Sequence, residues 1–256
     1  MTALPPMLRA YLLVYPFLAA YVTVGALLFV PLTWLTRNIR PIYWVARTGV
    51  RLALWLSGVR VECVGAAYAT AQPTAVFLSN HVSNIDPPAL FMVLPRIAVI
   101  LKRELRRIPL LGYVMELGGF IYVNREARDS RRQALEQAVE TLRSGISLLV
   151  FPEGTRSRDG RLLPFRPGPF TMAIEAGVPL VPVTVHGTRE LMPKGRAAIR
   201  PGAITVRFHP PVVTLGIRMA DRQRLMTEVR ATMQASLDAC SGEEPVSTKT
   251  LSARRG

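Results

Sequence analysis

Apolar residues follow two different patterns along the chain. From Ala10 to Thr36 the sequence is uncharged and almost continuously apolar, with Leu12, Leu13, Phe17, Leu18, Leu27, Leu28 and Phe29 inside the run. That is long enough for a helix that crosses a bilayer, which needs ~20 residues. Pro16 and Pro31 each remove a backbone donor and bend a helix, so the run predicts one bent span or a re-entrant helical pair. A cleaved signal peptide fits less well, because its apolar core is usually only ~7–15 residues long. Beyond the run, Arg37, Arg40, Arg47 and Arg51 alternate with Ile42, Tyr43, Trp44, Val45, Leu52, Leu54 and Trp55. This interleaving predicts an amphipathic helix, either laid on a membrane surface or packed on the following domain.

From about residue 60 the period changes. Short apolar runs predict strands at Val59–Val64, Thr74–Leu78, Ile97–Leu101, Phe120–Val123, Ile146–Phe151, Leu180–Val185 and Ile204–Phe208. Between them lie helical stretches. In Ser130–Ser144, the residues Ala134, Leu135, Ala138, Val139 and Leu142 recur at helical spacing. Ser130 with Gln133 suggests a capping box, and Gly145 a stop. A second helix is expected from Ala220 to Cys240. Strand–helix alternation predicts an α/β fold: a mostly parallel sheet flanked by helices. The expected division is a membrane-associated helical segment at 1–58, the α/β domain at 59–240 and a polar, disordered tail at 241–256.

Charge narrows the choice of partner. Basic residues outnumber acidic ones 32 to 17, a formal charge of +15. No acid precedes Glu62, and four arginines follow the apolar run where only Arg9 precedes it. The positive-inside rule then puts the domain in the cytoplasm, at the inner (plasma) membrane. So large an excess calls for an anionic partner: nucleic acid, anionic lipid or a phosphorylated substrate. Nucleic acid is the weaker choice, since aromatic residues are only 7%, no recognition motif is present, and the apolar run would have no role. Two cysteines, Cys63 and Cys240, are too few for a disulfide framework or a zinc site.

Three stretches carry candidate chemistry. Ser79-Asn80-His81-Val82-Ser83-Asn84-Ile85-Asp86-Pro87-Pro88 directly follows an expected strand. The carboxyl ends of parallel strands are where α/β folds place ligands. A tight turn between His81 and Asp86 would bring the carboxylate onto one imidazole nitrogen and leave the other as a general base. A helix-capping Asp86 beside a loop histidine is the alternative. Phe151-Pro152-Glu153-Gly154-Thr155-Arg156-Ser157 also ends a strand; Gly154 lets a ligand approach the backbone, and Thr155, Arg156 and Ser157 supply donors suited to a phosphate. Gly119–Arg125 projects an arginine, with Lys102 and Arg103 at a neighbouring strand end. The serine-hydrolase elbow, the P-loop, the dinucleotide-binding glycine motif and the H-E-x-x-H zinc motif are all missing.

His81 and Asp86, Gly119–Arg125, Phe151–Ser157 and Val178–Val183 stand in the order and spacing of the four motif blocks of the glycerolipid acyltransferases. The chain resembles that family over about residues 60–215, most of all its bacterial 1-acyl-sn-glycerol-3-phosphate acyltransferases. The resemblance implies transfer of a fatty acyl group from acyl-CoA or acyl-carrier protein to the sn-2 hydroxyl of lysophosphatidate, giving phosphatidate in phospholipid biosynthesis. Another lysolipid, such as a lysophospholipid or an ornithine-lipid precursor, is the alternative acceptor. The resemblance makes His81 and Asp86 the catalytic pair, and Lys102, Arg125, Glu153, Gly154, Thr155 and Arg156 the acceptor site. It implies no metal and no cofactor beyond the acyl donor. Two departures concern the acceptor side: Asn124 stands where an aspartate often precedes the arginine, and Pro167 and Pro169 interrupt Phe165–Pro169.

Overall fold

The structure is a computed structural model and describes residues 4–108, 110–124 and 126–242. Pro6 opens α1 (Pro6–Arg9), where a fixed φ suits the first helical turn. A π-turn at Ala10–Val14 continues it into α2 (Tyr15–Thr36). Together they make one helix, Pro6–Thr36, with mean hydropathy 2.1 in its most apolar part, long and apolar enough to cross a membrane. Neither proline breaks it. The widened π-turn comes just before Pro16, and Pro31 lies inside α2. Arg37, left-handed at φ 51°, ends the helix, and α3 (Arg40–Leu56) returns antiparallel to it. Tyr21 Oη donates to the Val45 carbonyl at 3.0 Å, and Arg9 Nη1 to that of Ser57 at 3.2 Å. Gly49 allows this approach, because a β-carbon there would come 2.5 Å from the Tyr21 ring.

The remaining elements are β1 (Val59–Val64), α4 (Ala67–Thr70), β2 (Val76–Ser79), α5 (Asp86–Val93), β3 (Ile97–Lys102), a 3-10 turn (Arg103–Arg107), α6 (Leu111–Leu117), β4 (Ile121–Val123), α7 (Arg128–Arg143), β5 (Ser147–Val150), α8 (Gly168–Ala176), β6 (Leu180–His186), α9 (Thr188–Leu191), β7 (Gly202–Phe208), a 3-10 turn (Met219–Asp221) and α10 (Arg222–Gly242). All seven expected strands form, with ends displaced by at most two residues. The sheet order is β1-β7-β6-β2-β5-β3-β4. Neighbours pair in parallel except β6 with β7, so β7 and β1 run against the other five.

Alternation along β2 divides the core. Val76 and Leu78 face α7, α8 and α10, meeting Ala138, Phe170 and Val229. Phe77 points to the other face, with Leu54 of α3 and Leu90 of α5. α3 is therefore half structural. The Tyr43 and Phe91 rings meet at 4.8 Å, tilted by 52°, and Arg47 Nη2 donates to the Met92 carbonyl at 2.6 Å. Its far side leaves Trp44 and Trp55 exposed.

The start of α7 corrects the expected capping box. The helix begins at Arg128 after Ala127, and the Ser130 hydroxyl, already inside it, accepts the Asn124 N–H at 2.9 Å. That hydroxyl fastens the end of β4 instead of capping the helix. Gly145 does end α7: its N–H reaches the Leu142 carbonyl and that of Ile146 reaches Thr141, the paired closure of a Schellman motif. The tail expected at 241–256 begins later than that, since Ser241 and Gly242 still belong to α10, and the rest of it lies outside the described residues.

Candidate active site

Because β2, β3, β4, β5 and β6 are parallel, their carboxyl ends open on one edge of the sheet. The loop from β2 to α5 carries the histidine there. His81 Nδ1 lies 2.8 Å from Asp86 Oδ2, and the Val82 and Ser83 N–H groups reach the same oxygen at 2.7 Å. Asp86 is fully buried, while the His81 side chain is 15% exposed. Oδ2 thus accepts from every partner, so Nδ1 carries the shared proton and Nε2 is left as the free base. Asp86 Oδ1 is buried with no hydrogen-bond partner among the described residues.

The turn after β5 holds this loop from below. Glu153 Oε1 accepts the His81 backbone N–H at 2.8 Å, and Oε2 accepts that of Leu163 at 2.9 Å. Both carboxylate oxygens are therefore turned to the chain's own backbone. Burial pushes the Glu153 carboxyl up to about 7, and the nearby Asp86 charge adds to it, against the two N–H bonds and Arg230. The Ser157 N–H donates to the His81 carbonyl at 2.8 Å, and the Phe151 ring stacks on the imidazole at 4.2 Å. On the other flank, the Asn80 side chain makes a two-point bond with the Val185 backbone, at 2.9 and 2.7 Å. Ser83 Oγ donates to the Met192 carbonyl at 2.7 Å. Asn80, Phe151 and Ser83 were not singled out by sequence, and Ser157, expected as a phosphate donor, instead spends its N–H on the His81 carbonyl and its hydroxyl on Asp159 Oδ1 at 2.9 Å. Their neighbourhood was the available signal, since each sits in or beside a motif block.

The expected acceptor residues are distributed unevenly. Gly154, at φ 70°, is crossed by Arg166: a β-carbon there would lie 2.5 Å from Arg166 Nε. The structure thus adds an exposed cation, Arg166, beside the Glu153 turn. Thr155 is exposed, and Arg156 is half-buried with its carbonyl held by Lys194 Nζ at 2.9 Å. Lys102 stands at the end of β3, two strands from β2, paired with Glu104 at 3.2 Å. Arg125 lies outside the described residues.

A family model described as Acyltransferase matches residues 60–186. The 1-acyl-sn-glycerol-3-phosphate acyltransferase of Limnanthes douglasii is 36% identical over 165 residues, 64% of this chain and 58% of that protein. The 1-acyl-sn-glycerol-3-phosphate acyltransferase alpha of Bos taurus is 34% identical over 181 residues, 70% of this chain and 63% of that protein. The chain thus spans less than two thirds of the length of these curated relatives. The crystal structure of the 1-acyl-sn-glycerophosphate (LPA) acyltransferase PlsC from Thermotoga maritima matches with a TM-score of 0.78 at 25% identity, covering 94% of this chain and 100% of that chain. Sequence similarity runs through the His81 loop and the Glu153 turn, fold similarity runs through nearly the whole chain, and the two agree: the protein belongs to the glycerolipid acyltransferase family.

Proposed function

We propose that the protein transfers a fatty acyl group from acyl-CoA or acyl-carrier protein to the sn-2 hydroxyl of 1-acyl-sn-glycerol 3-phosphate, giving phosphatidate. The observation that carries this reading is the 2.8 Å His81–Asp86 contact at a strand end, with no hydrogen-bond partner on Nε2 among the described residues. A thioester is already activated, so the enzyme's task is proton transfer and positioning. His81 Nε2 takes the proton of the acceptor hydroxyl as its oxygen attacks the thioester carbonyl. The imidazolium forms against Asp86, then gives that proton to the departing thiolate as the carbon–sulfur bond breaks. Glu153 positions His81 by holding its backbone N–H. Arg125, Arg156, Arg166 and Lys102 supply the charge that receives the acceptor phosphate, with Thr155 and the tight Gly154 turn beside them. The helix Pro6–Thr36 anchors the enzyme to the bilayer, with exposed Trp44 and Trp55 at the headgroup level and the domain on the cytoplasmic side.

The test is an acceptor panel with purified full-length protein and one labelled acyl donor. Phosphatidate should form fastest from 1-acyl-sn-glycerol 3-phosphate. Faster acylation of an uncharged or choline-bearing lysolipid, or of an ornithine-lipid precursor, would overturn the acceptor assignment. Undiminished turnover in a folded His81→Ala protein would overturn the mechanism.

A further inference from the structure

The connection from β3 to α6 is not used by the chemistry above, yet it is both greasy and basic on its outside. The 3-10 turn Arg103–Arg107 has no buried residue. Leu105, Ile108, Leu110 and Tyr113 are 36%, 41%, 41% and 42% exposed. Positions three apart in a 3-10 turn lie on one side, so Leu105 and Ile108 project together; the Ile108 N–H bonds to the Leu105 carbonyl at 3.2 Å. The local acids are already engaged. Glu104 pairs with Lys102 at 3.2 Å, and Glu116 takes Arg106 at 3.0 and 2.8 Å. Neither Arg103 nor Arg107 forms an ion pair among the described residues, and Arg107 feels the Glu104 charge only at longer range. Aliphatic side chains flanked by arginines outside any ion pair are poorly placed in water and well placed at the boundary between headgroups and acyl chains.

The patch is also continuous with the apolar helix. Trp34 Nε1 donates to Tyr113 Oη at 2.9 Å, with the two rings edge to face at 6.2 Å. Trp34 is 64% exposed and the next residue, Leu35, 84%. Trp and Tyr at such a junction mark the interfacial layer. We infer that the β3–α6 connection is a second membrane contact, which inserts Leu105 and Ile108 into an anionic lipid surface while Arg103 and Arg107 meet its phosphates. β3 leaves the sheet at the same edge as β2 and β5, so this contact turns the edge bearing His81 and Glu153 toward the headgroups. The inference rests on the reading of the protein as a membrane-bound acyltransferase.

The test reads depth rather than catalysis. In full-length protein with Cys63→Ser and Cys240→Ala, single cysteines are placed at Leu105→Cys, Ile108→Cys and, on exposed α7, Arg132→Cys. Each carries a polarity-sensitive fluorophore. In vesicles of phosphatidylcholine with phosphatidylglycerol, the labels at 105 and 108 should shift to the blue and be quenched several-fold less by acrylamide than the label at 132. Equal quenching at the three sites would overturn the contact. Protection without vesicles would mean that a second copy of the chain covers the patch, and would overturn it too. Protection undiminished in pure phosphatidylcholine or high salt would overturn the anionic-lipid assignment. In parallel, Leu105→Asp/Ile108→Asp should lose several-fold activity on bilayer-borne acceptor and keep it on a soluble short-chain acceptor; equal loss on both would count against the contact. If the protein made no phosphatidate while the labels were still protected, the acyl-transfer reading would fail and the membrane contact would stand.

Discussion

His81 can act as a base only while Asp86 keeps the Nδ1 proton in place. His81→Ala should therefore cost ~10²–10⁴-fold in turnover with the fold intact, checked by initial rates and circular dichroism. Glu153 lies one step behind. Its pKa is raised in the fold, from the ordinary 4.5 to about 7, because it is buried. A carboxyl raised on folding stabilises the native state when protonated. That contribution is full below about 4.5, declines as pH rises toward about 7 and is gone above it. Glu153→Gln should remove this slope, seen as the difference between the two proteins' thermal unfolding across that window. The amide cannot accept from both N–H groups, so kcat should fall as well, the orphaned donor costing ~1–3 kcal/mol. A flat difference with unchanged kcat would show that Glu153 is not the loop's anchor. On the acceptor side, Arg125→Ala and Arg166→Ala should raise the KM for the lysolipid more than for the acyl donor. The expected size is ~10–100-fold, from ~1.5–3 kcal/mol for a charge-assisted hydrogen bond. Arg166→Lys should rescue in part, since lysine lacks the planar fork. A larger effect on donor KM would overturn this assignment.

At the scale of elements, α2 and α3 have different duties despite being joined by three residues. α2 is apolar on all sides and mostly exposed, with Ala26 and Thr33 its only buried members. α3 is amphipathic: Leu54, Tyr43 and Arg47 close the core over α5, while Val45 packs against Tyr21 and Gly25 of α2. Removing residues 1–58 should therefore aggregate the protein, because Phe77 and Leu90 would lose the cover of Leu54. Removing only residues 1–36 should leave a folded domain with weaker membrane association and lower activity on long-chain acceptor. Size exclusion and vesicle flotation separate the cases, and a monodisperse, active 59–256 fragment would refute the division of roles. Arg47 also leaves the set of lipid-facing arginines, since its guanidinium is engaged by Met92.

At the scale of the molecule, the +15 charge adds to the apolar helix Pro6–Thr36. Attraction to anionic vesicles should fall as salt is raised past ~0.1 M, where the screening length is ~10 Å, while the helix keeps a salt-independent remainder. Complete release by salt alone would argue against the anchor, and flotation at graded salt reads both components. Much of this architecture was legible in the residues. Continuous apolar runs such as Val76–Leu78 can only be buried strands, and an uncharged run from Ala10 to Thr36 can only lie in protein or lipid, because local composition sets the solvent each segment tolerates. His81 and Asp86 were legible as a pair because only four residues separate them and a strand end must turn there. Ser130 was misread as a cap because its hydroxyl is claimed by Asn124, a contact between elements that no local pattern contains. The same holds for the two backbone groups that occupy Glu153, for Arg166 crossing Gly154, and for Trp34 meeting Tyr113 far along the chain. Sequence by itself determined which segments are strands, which is the long apolar helix and where the motifs stand. Only the tertiary structure decided which side chains hold the histidine and which surfaces face outward, because those depend on the order in which the sheet lays its strands side by side.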